Sequence, residues 1–522
     1  MGMEPFESIV GKCYGQLWAG QASCRVESEW TLPDYKEAAR RLLRVDADPR
    51  ITGKNLYQKG QEWICEVEGE LSIGALYQPE GEGGEETVSS YVATESFFYT
   101  FHAPLSSDGI PDQESVASLC EGMTENLSAR LLGPRRVSFR CDVALSLSLR
   151  GNREIACLSG QVPPDVEVKT ETRETTVLAG VVRQDLELRE ILTLPASYLP
   201  IREMTDMTFS LFADRVRVSD GTVQFTGRLT VNAAYAPEGE SGVVSFCQPL
   251  EFEKSIGTGL AAEGDLCEVA LIPTSFQSSV ELSEGGENKD LAIEVLYTAE
   301  IRLYRREKIS FITDLYSVKD ELEIHSKNET LSVYTAIRDF TKEIHAELPL
   351  KHTPFSHAED VRAAIRFLDN FRDGRKLTVK AELQLKYLTV TESGAVSAAE
   401  DALEIRFDLP DVSDVPEGEG KVELWGGVSD AQLTLREDVI DVRLEVFGRL
   451  VLSREESVQY VAGADVKEAL QREKPGILFY YPDGEEDLWD VCKKFKARVA
   501  SVRGENQWEG EGVPPVVRII RS

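Results

Sequence analysis

Histidine, cysteine and clustered carboxylates are the side chains that do most protein chemistry, and their spacing in this chain is uninformative for catalysis. The five histidines (102, 325, 345, 352 and 357) are scattered over about 250 residues. Only His352 and His357 lie near each other, and no HExxH or Cys/His ligand spacing accompanies them. The nine cysteines (13, 24, 65, 120, 141, 157, 247, 267 and 492) are odd in number and form no CxxC pair. Buried free thiols in a reducing compartment are therefore expected, with neither a disulfide framework nor a metal set. No G-x-S-x-G elbow, phosphate-binding loop or dinucleotide fingerprint leads from a strand into a helix. Carboxylates are abundant, but nothing in the pattern places two of them in an apolar pocket that would separate their proton affinities. The expectation is a protein with no catalytic residue, cofactor or metal.

Charge narrows the partners. Asp and Glu number 90 against 57 Lys and Arg, a net of −33 and a pI near 4.7. A field of that sign disfavours nucleic acid and anionic lipid. The opening segment MGMEPFESIVGKCYGQLW has no basic stretch leading into an apolar run, Phe6 stands where a myristoylation motif needs Ser or Thr, and no apolar run is long enough for a membrane span. These features predict a cytoplasmic protein.

The elements that must position any site are β-strands in a repeat. Cys65–Tyr77 alternates with period two and matches Val223–Tyr235 at an offset of 158, with Gly69 and Gly227 in register and both runs closing on Tyr. A third run, Leu377–Leu385, keeps the pattern with Ala381 in the glycine's place. Further markers recur in order. Leu-Pro steps end extended runs at Leu32-Pro33, Leu194-Pro195 and Leu348-Pro349. Phe101, Phe246 and Phe407 are matched as a further set. Each copy closes with a long alternating strand: Val137 to Leu149, Leu291 to Leu303, and Ile440 to Leu452. Such alternation buries one face and wets the other.

The chain is thus read as mainly β. Three tandem antiparallel β-sandwich-like domains (1–163, 164–317 and 318–461), each with its own core and strung like beads, precede a linker at 462–473 and a small α+β module at 474–522. Helical propensity at 35–43 and 359–367 suggests a short helix after the first and third Leu-Pro steps. Gly69 and Gly227 are expected to allow close backbone packing. The acidic loops 78–86 and 236–242 follow equivalent strands, and would offer a repeated surface for basic partners or a solubilising tip.

In the module, 477–481 reads as a strand and Asp487 as the cap of a helix with Leu488, Val491, Cys492 and Phe495 on one face. A second helix ends near Asn506, and a strand covers 516–520. The run Glu486-Asp487-Leu488-Trp489-Asp490-Val491-Cys492-Lys493-Lys494-Phe495 resembles the core of LysM domains, with Glu505-Asn506 and Pro515 to Ile520 resembling their later steps. Glu485-Glu486-Asp487 replaces the family's Gly-Asp-Thr, and Pro-Pro its Pro-Gly. The resemblance implies a βααβ fold with Leu488, Trp489, Val491 and Phe495 in its core. It also implies a binding edge in the loops, for which Tyr481, Asp483, Glu485, Glu486, Gln507 and Trp508 are the candidates.

From position 474 onward, eight basic residues balance eight acidic ones, so this neutral module is suited to a different partner from the acidic remainder. Three acidic β domains followed by LysM are similar to the sporulation-coat (SPOCS) domain proteins of endospore-forming bacteria. That resemblance implies a protein at the forespore surface in the mother-cell cytoplasm. Its LysM module would bind the coat-basement ATPase SpoIVA, and its repeats would contact other coat proteins. The alternative is an envelope protein binding peptidoglycan or another N-acetylglucosamine polymer.

Overall fold

In a computed structural model, the described residues are 8–81, 87–104, 116–158, 162–240, 242–350, 355–409, 420–436, 439–469, 476–483, 486–507 and 514–521. They are mainly β, and every strand pairing is antiparallel. The first group comprises β1 (Ser8–Thr31), β2 (Ala39–Lys59), β3 (Glu62–Pro79), β4 (Ser89–Pro104), β5 (Val116–Gly133) and β6 (Arg136–Leu158). It forms two three-stranded sheets, ordered β1-β6-β5 and β2-β3-β4.

The second group is β7 (Val166–Thr193), β8 (Ile201–Ser219), β9 (Thr222–Pro237), β10 (Val244–Gly257), β11 (Leu266–Leu282) and β12 (Asn288–Ser317). Its sheets run β7-β12-β11 and β8-β9-β10. The third is β13 (Asp320–Pro349), β14 (His357–Asp373), β15 (Lys376–Val390), β16 (Val396–Leu409), β17 (Gly420–Arg436) and β18 (Val439–Ala469), with sheets β13-β18-β17 and β14-β15-β16.

Within each group the two sheets face each other across one apolar layer, and the alternation of the central strands dictates this. Val67, Leu71 and Ile73 of β3 share a cluster with Cys141, Val143 and Leu145 of β6. Corresponding clusters join β9 to β12 and β15 to β18. Fully burying one such side chain is worth about 1.5–3 kcal/mol, so these layers dominate the stability.

The glycines in mid-strand have a steric reason. Gly69 pairs across strands with Phe97 and Gly227 with Phe252, and the far end of each ring fills the space a Cβ would occupy. Ala381 instead pairs with Ile405, which leaves room for a methyl group. Buried Tyr77 and Tyr235 close their strands alike: each hydroxyl donates to a carbonyl of the preceding Leu-Pro loop, Glu37 O at 3.2 Å and Leu199 O at 2.9 Å. The phenylalanine matching made from sequence is not kept. Phe101 pairs with Cys65, Phe246 with Ala233 and Phe407 with Val379, which are different register positions.

Both helices expected after the Leu-Pro steps are absent from the described residues. Residues 39–59 and 357–373 are the strands β2 and β14, paired with β3 and β15. The central strands need a second neighbour for their backbone groups, and that demand overrides local propensity. Residues 462–469 of the expected linker continue β18 and pair with 320–325, while 470–473 lie outside the described residues.

Nor do the groups hang separately. Strands of 30 or 31 residues overrun the individual cores and meet one another. Cys13 and Ile155 of the first group, Phe311 of the second, and Leu331 and Tyr460 of the third form one cluster. Near the opposite hairpin ends, Leu76 and Val88 meet Ala234 and Val243, and also Leu388 and Val396.

Ion pairs lie beside these junctions. Arg44 pairs with Leu76 in register and Asp206 with Ala234; Asp360 sits in a bulge next to the partner of Leu388. The Arg44 guanidinium donates to Asp206 at 3.0 Å and to Asp360 at 2.6 Å. A second cluster joins Tyr14, Tyr304 and Tyr334, with ring centroids 5.0 to 5.6 Å apart. The Tyr304 hydroxyl donates to Glu268 at 2.7 Å, and Arg302 bridges Glu268 and Glu300. Burial would raise the Glu300 carboxyl, but Arg302, Lys54 and Arg183 together hold it down to about 2.

Two expectations follow. Gly69→Val drives a side chain into the Phe97 ring and should destabilise the protein by about 1–3 kcal/mol; Phe97→Ala in the same chain should recover part of that loss, both read by denaturant unfolding. For Glu300 the folded-state affinity for the proton is depressed, so its stabilisation is complete above the unfolded value of 4.5 and lost as pH falls towards about 2. A shift of that size corresponds to about 3 kcal/mol, and Glu300→Gln should flatten the acid limb of a stability-against-pH curve over that window.

Candidate partner-binding site

The C-terminal module is built from β19 (Gly476–Tyr480), α1 (Leu488–Lys494), α2 (Val499–Glu505) and β20 (Val517–Arg521). Asp487 caps α1 through its carboxylate, which accepts the Asp490 N–H at 2.8 Å, while Asp490 returns a bond to the Asp487 N–H at 3.0 Å. Asn506 ties α2 to β20 with two 2.7 Å bonds to the backbone of Arg518. Val491, Cys492, Val502, Val517 and Ile519 are buried together, and half-buried Leu488 and Phe495 pack against them.

Trp489 does more than fill this core. Its indole N–H donates to Asp314 of β12 at 2.8 Å, and its ring meets Tyr316 edge-on at 5.0 Å. The Tyr316 hydroxyl donates to Ala497 O at 2.6 Å. Around this contact, three of the four cations between 493 and 498 pair with acidic residues of the β body, while Lys494 pairs with Glu486 of the module. Lys493 bonds Asp314 at 2.7 Å, Lys496 reaches Glu321 at 3.2 Å and Arg498 reaches Asp165 at 3.3 Å. Lys169 closes the other side on Asp487 at 3.1 Å. Three cations of the module are thus matched to an acidic seat on the same chain, which sequence spacing had no means of showing.

The loop candidates divide. Tyr481 and Asp483 are exposed on the segment between β19 and α1, and Gln507 is exposed after α2 with a φ of +48°. Glu486 is committed internally. It accepts the Tyr480 hydroxyl at 2.6 Å, the Lys494 ammonium at 3.1 Å and the Asp483 N–H at 3.1 Å, and the first two of these hold its carboxyl below the usual range. Glu485 and Trp508 lie outside the described residues.

Sequence reading passed over the outward face of the module's sheet. Ile477, Phe479, Tyr481, Val516 and Ile520 are all exposed there, and the period-two placing of apolar residues on both faces of these short strands was the available signal.

Elsewhere, Val88 and Val243, which follow the acidic segments after β3 and β9, share a cluster with Val396 at one end of the body. Residues 82–86 and 241 of those loops are outside the described residues. Four histidines face solvent beside carboxylates: His102 with Glu62, His325 with Asp465, His345 with Glu343 and His357 with Glu359. His352 lies outside the described residues. Among the described residues, no group of three or more His, Cys, Asp or Glu is placed to hold a metal, and no helix is long and apolar enough to cross a membrane. All nine cysteines are free; burial raises the thiols of Cys65 and Cys141 to about 11, which leaves them protonated and poorly nucleophilic.

No family model matches the chain, and no curated protein or solved structure matches it either.

The seat of the module makes a direct expectation. Asp314→Lys removes the acceptor of both Trp489 and Lys493 and places a cation against the basic run. Backbone amides of α1 and of 309–317 should then exchange with deuterium at least about tenfold faster, while amides of β3 and β15 stay unchanged.

Proposed function

We propose that the chain is a non-catalytic structural adaptor of the endospore coat, made of three tandem β-sandwich-like SPOCS repeats and a C-terminal LysM-like module. The reading places it in the mother-cell cytoplasm at the forespore surface. There the module binds the coat-basement ATPase SpoIVA, and the repeats contact other coat proteins. Its support begins with the threefold recurrence of one strand order. Further support comes from the Gly–aromatic pairs and tyrosine closures shared by the first two strand groups.

The observation that carries the adaptor reading is the way the module is held. Its helices are fixed to β12 by Trp489, Lys493 and Tyr316, so one side is spent on the body. Tyr481, Asp483 and Gln507 remain outside that contact and exposed. A rigid mount with a free edge suits a protein that joins two others. The body's own charge of one sign favours basic partners for the repeats.

The test uses the full chain on beads with purified SpoIVA, alongside sedimentation with peptidoglycan. Capture of the ATPase, weakened at least about tenfold by Tyr481→Ala combined with Asp483→Arg, is the expected result. Sedimentation with peptidoglycan and no capture of the ATPase would replace this reading with the cell-wall one.

A further inference from the structure

A strand at a protein surface normally alternates apolar inward with polar outward. The small sheet of the C-terminal module departs from that rule. Leu478, Tyr480, Val517 and Ile519 face its helices, as they should. Yet the other face presents Ile477, Phe479, Tyr481 and Ile520, with Val516 at its end, and Phe479 remains 60% exposed in the whole chain. Cross-strand pairing sets Ile477 against Ile520 and Phe479 against Arg518, so these side chains share one patch. Of the 19 large apolar side chains exposed on the described molecule, five gather here. The acidic body, which covers the opposite side of the module, leaves this patch open.

We propose that this face is a docking site for an amphipathic helix of a different protein, one with an apolar stripe and a carboxylate at the edge of that stripe. Charge selects the carboxylate. Lys493, Lys494, Lys496 and Arg498 each have a carboxylate within 3.3 Å. Arg518 stands opposite Phe479 on this face, and among the described residues its guanidinium has no carboxylate partner, donating to the Glu505 carbonyl at 2.6 Å. It is the charge on the face that an acidic partner group would meet.

Size selects a helix. A five-residue strand pair is about 17 Å long, the span of about eleven helical residues at 1.5 Å each. With α1 and α2 on the inner face, an outer helix completes a three-layer arrangement in which both sheet faces are covered.

Other occupants fit less well. A pairing of two copies through this face would bring together two chains of charge −33. A glycan needs many convergent polar groups, and the face offers Arg518 and the Tyr481 hydroxyl. Anionic lipid is repelled by the body.

The inference rests on the module being a protein-binding one, but its face centres on Phe479 and Ile477 and shares only Tyr481 with the loops, so the two can fail separately. The experiment titrates the full-length protein with two fluorescently labelled 14-residue helical peptides. They carry the same leucine stripe and differ only in flanking Glu or flanking Lys; binding is followed by anisotropy and by deuterium exchange of 476–481.

Tighter binding of the Glu peptide with protection of 476–481, lost at least about tenfold in Phe479→Ser, is expected. Arg518→Met should narrow the gap between the peptides. Unchanged exchange in α1 would show that Phe479→Ser still folds. Equal binding of both peptides, binding unaffected by Phe479→Ser, or no binding overturns the proposal, as does a concentration-dependent dimer that Phe479→Ser abolishes. If SpoIVA is not captured while the Glu peptide still binds this face, the adaptor reading fails and the docking face stands.

Discussion

Everything in this molecule depends on the apolar layer between paired three-stranded sheets. A three-stranded sheet cannot be stable in water with its apolar face bare, and here each is buried against its partner through the inward side chains of β3 and β6, β9 and β12, or β15 and β18. That layer fixes strand register, because a slip of one residue would turn every one of these side chains to the outside. Register in turn decides that Gly69 and Gly227 lie beneath phenylalanine rings, and that Tyr77 and Tyr235 reach the carbonyls of the loops before their sheets.

A second constraint follows from strand length. Strands of 30 residues extend beyond what two facing sheets can cover, and their ends must be covered by other groups. The three groups are therefore packed into one body, and corresponding strands of the groups are brought close together. Identical side chains there would carry like charges into a buried space, which is costly. The chain avoids this, because Arg44 in the first group stands between Asp206 of the second and Asp360 of the third. The tyrosines at the other junction are arranged around Glu268, Glu300 and Arg302 in the same compensated way.

The mounting of the C-terminal module uses the same physics at the surface. The body carries the negative charge of the chain, and three of the module's cations, Lys493, Lys496 and Arg498, are spent on it through Asp314, Glu321 and Asp165. Exposed pairs of this kind are each worth little, so the half-buried Trp489–Tyr316 contact and its hydrogen bond to Asp314 do most of the fixing. The result leaves the loops and the outer sheet face turned to the surroundings, with the apolar residues of that face uncovered.

By itself the sequence determined the strand-rich class, the inward faces of the central strands and the order of elements in the module, because each is written in local periodicity or in a cap such as Asp487. It also marked the mid-strand glycines as places of close approach, without saying what approaches. The strands at 39–59 and 357–373 were hidden, since their residues favour helix and only the unpaired edges of β3 and β15 call them into a sheet. The correspondence of Phe101 with Phe246 misled for a related reason: spacing along the chain carries no information about cross-strand register. Which cations of the module pair with which carboxylates of the body, and which strand groups touch, were decided only in three dimensions. Those features join residues more than a hundred positions apart, and no pattern within a single strand encodes them.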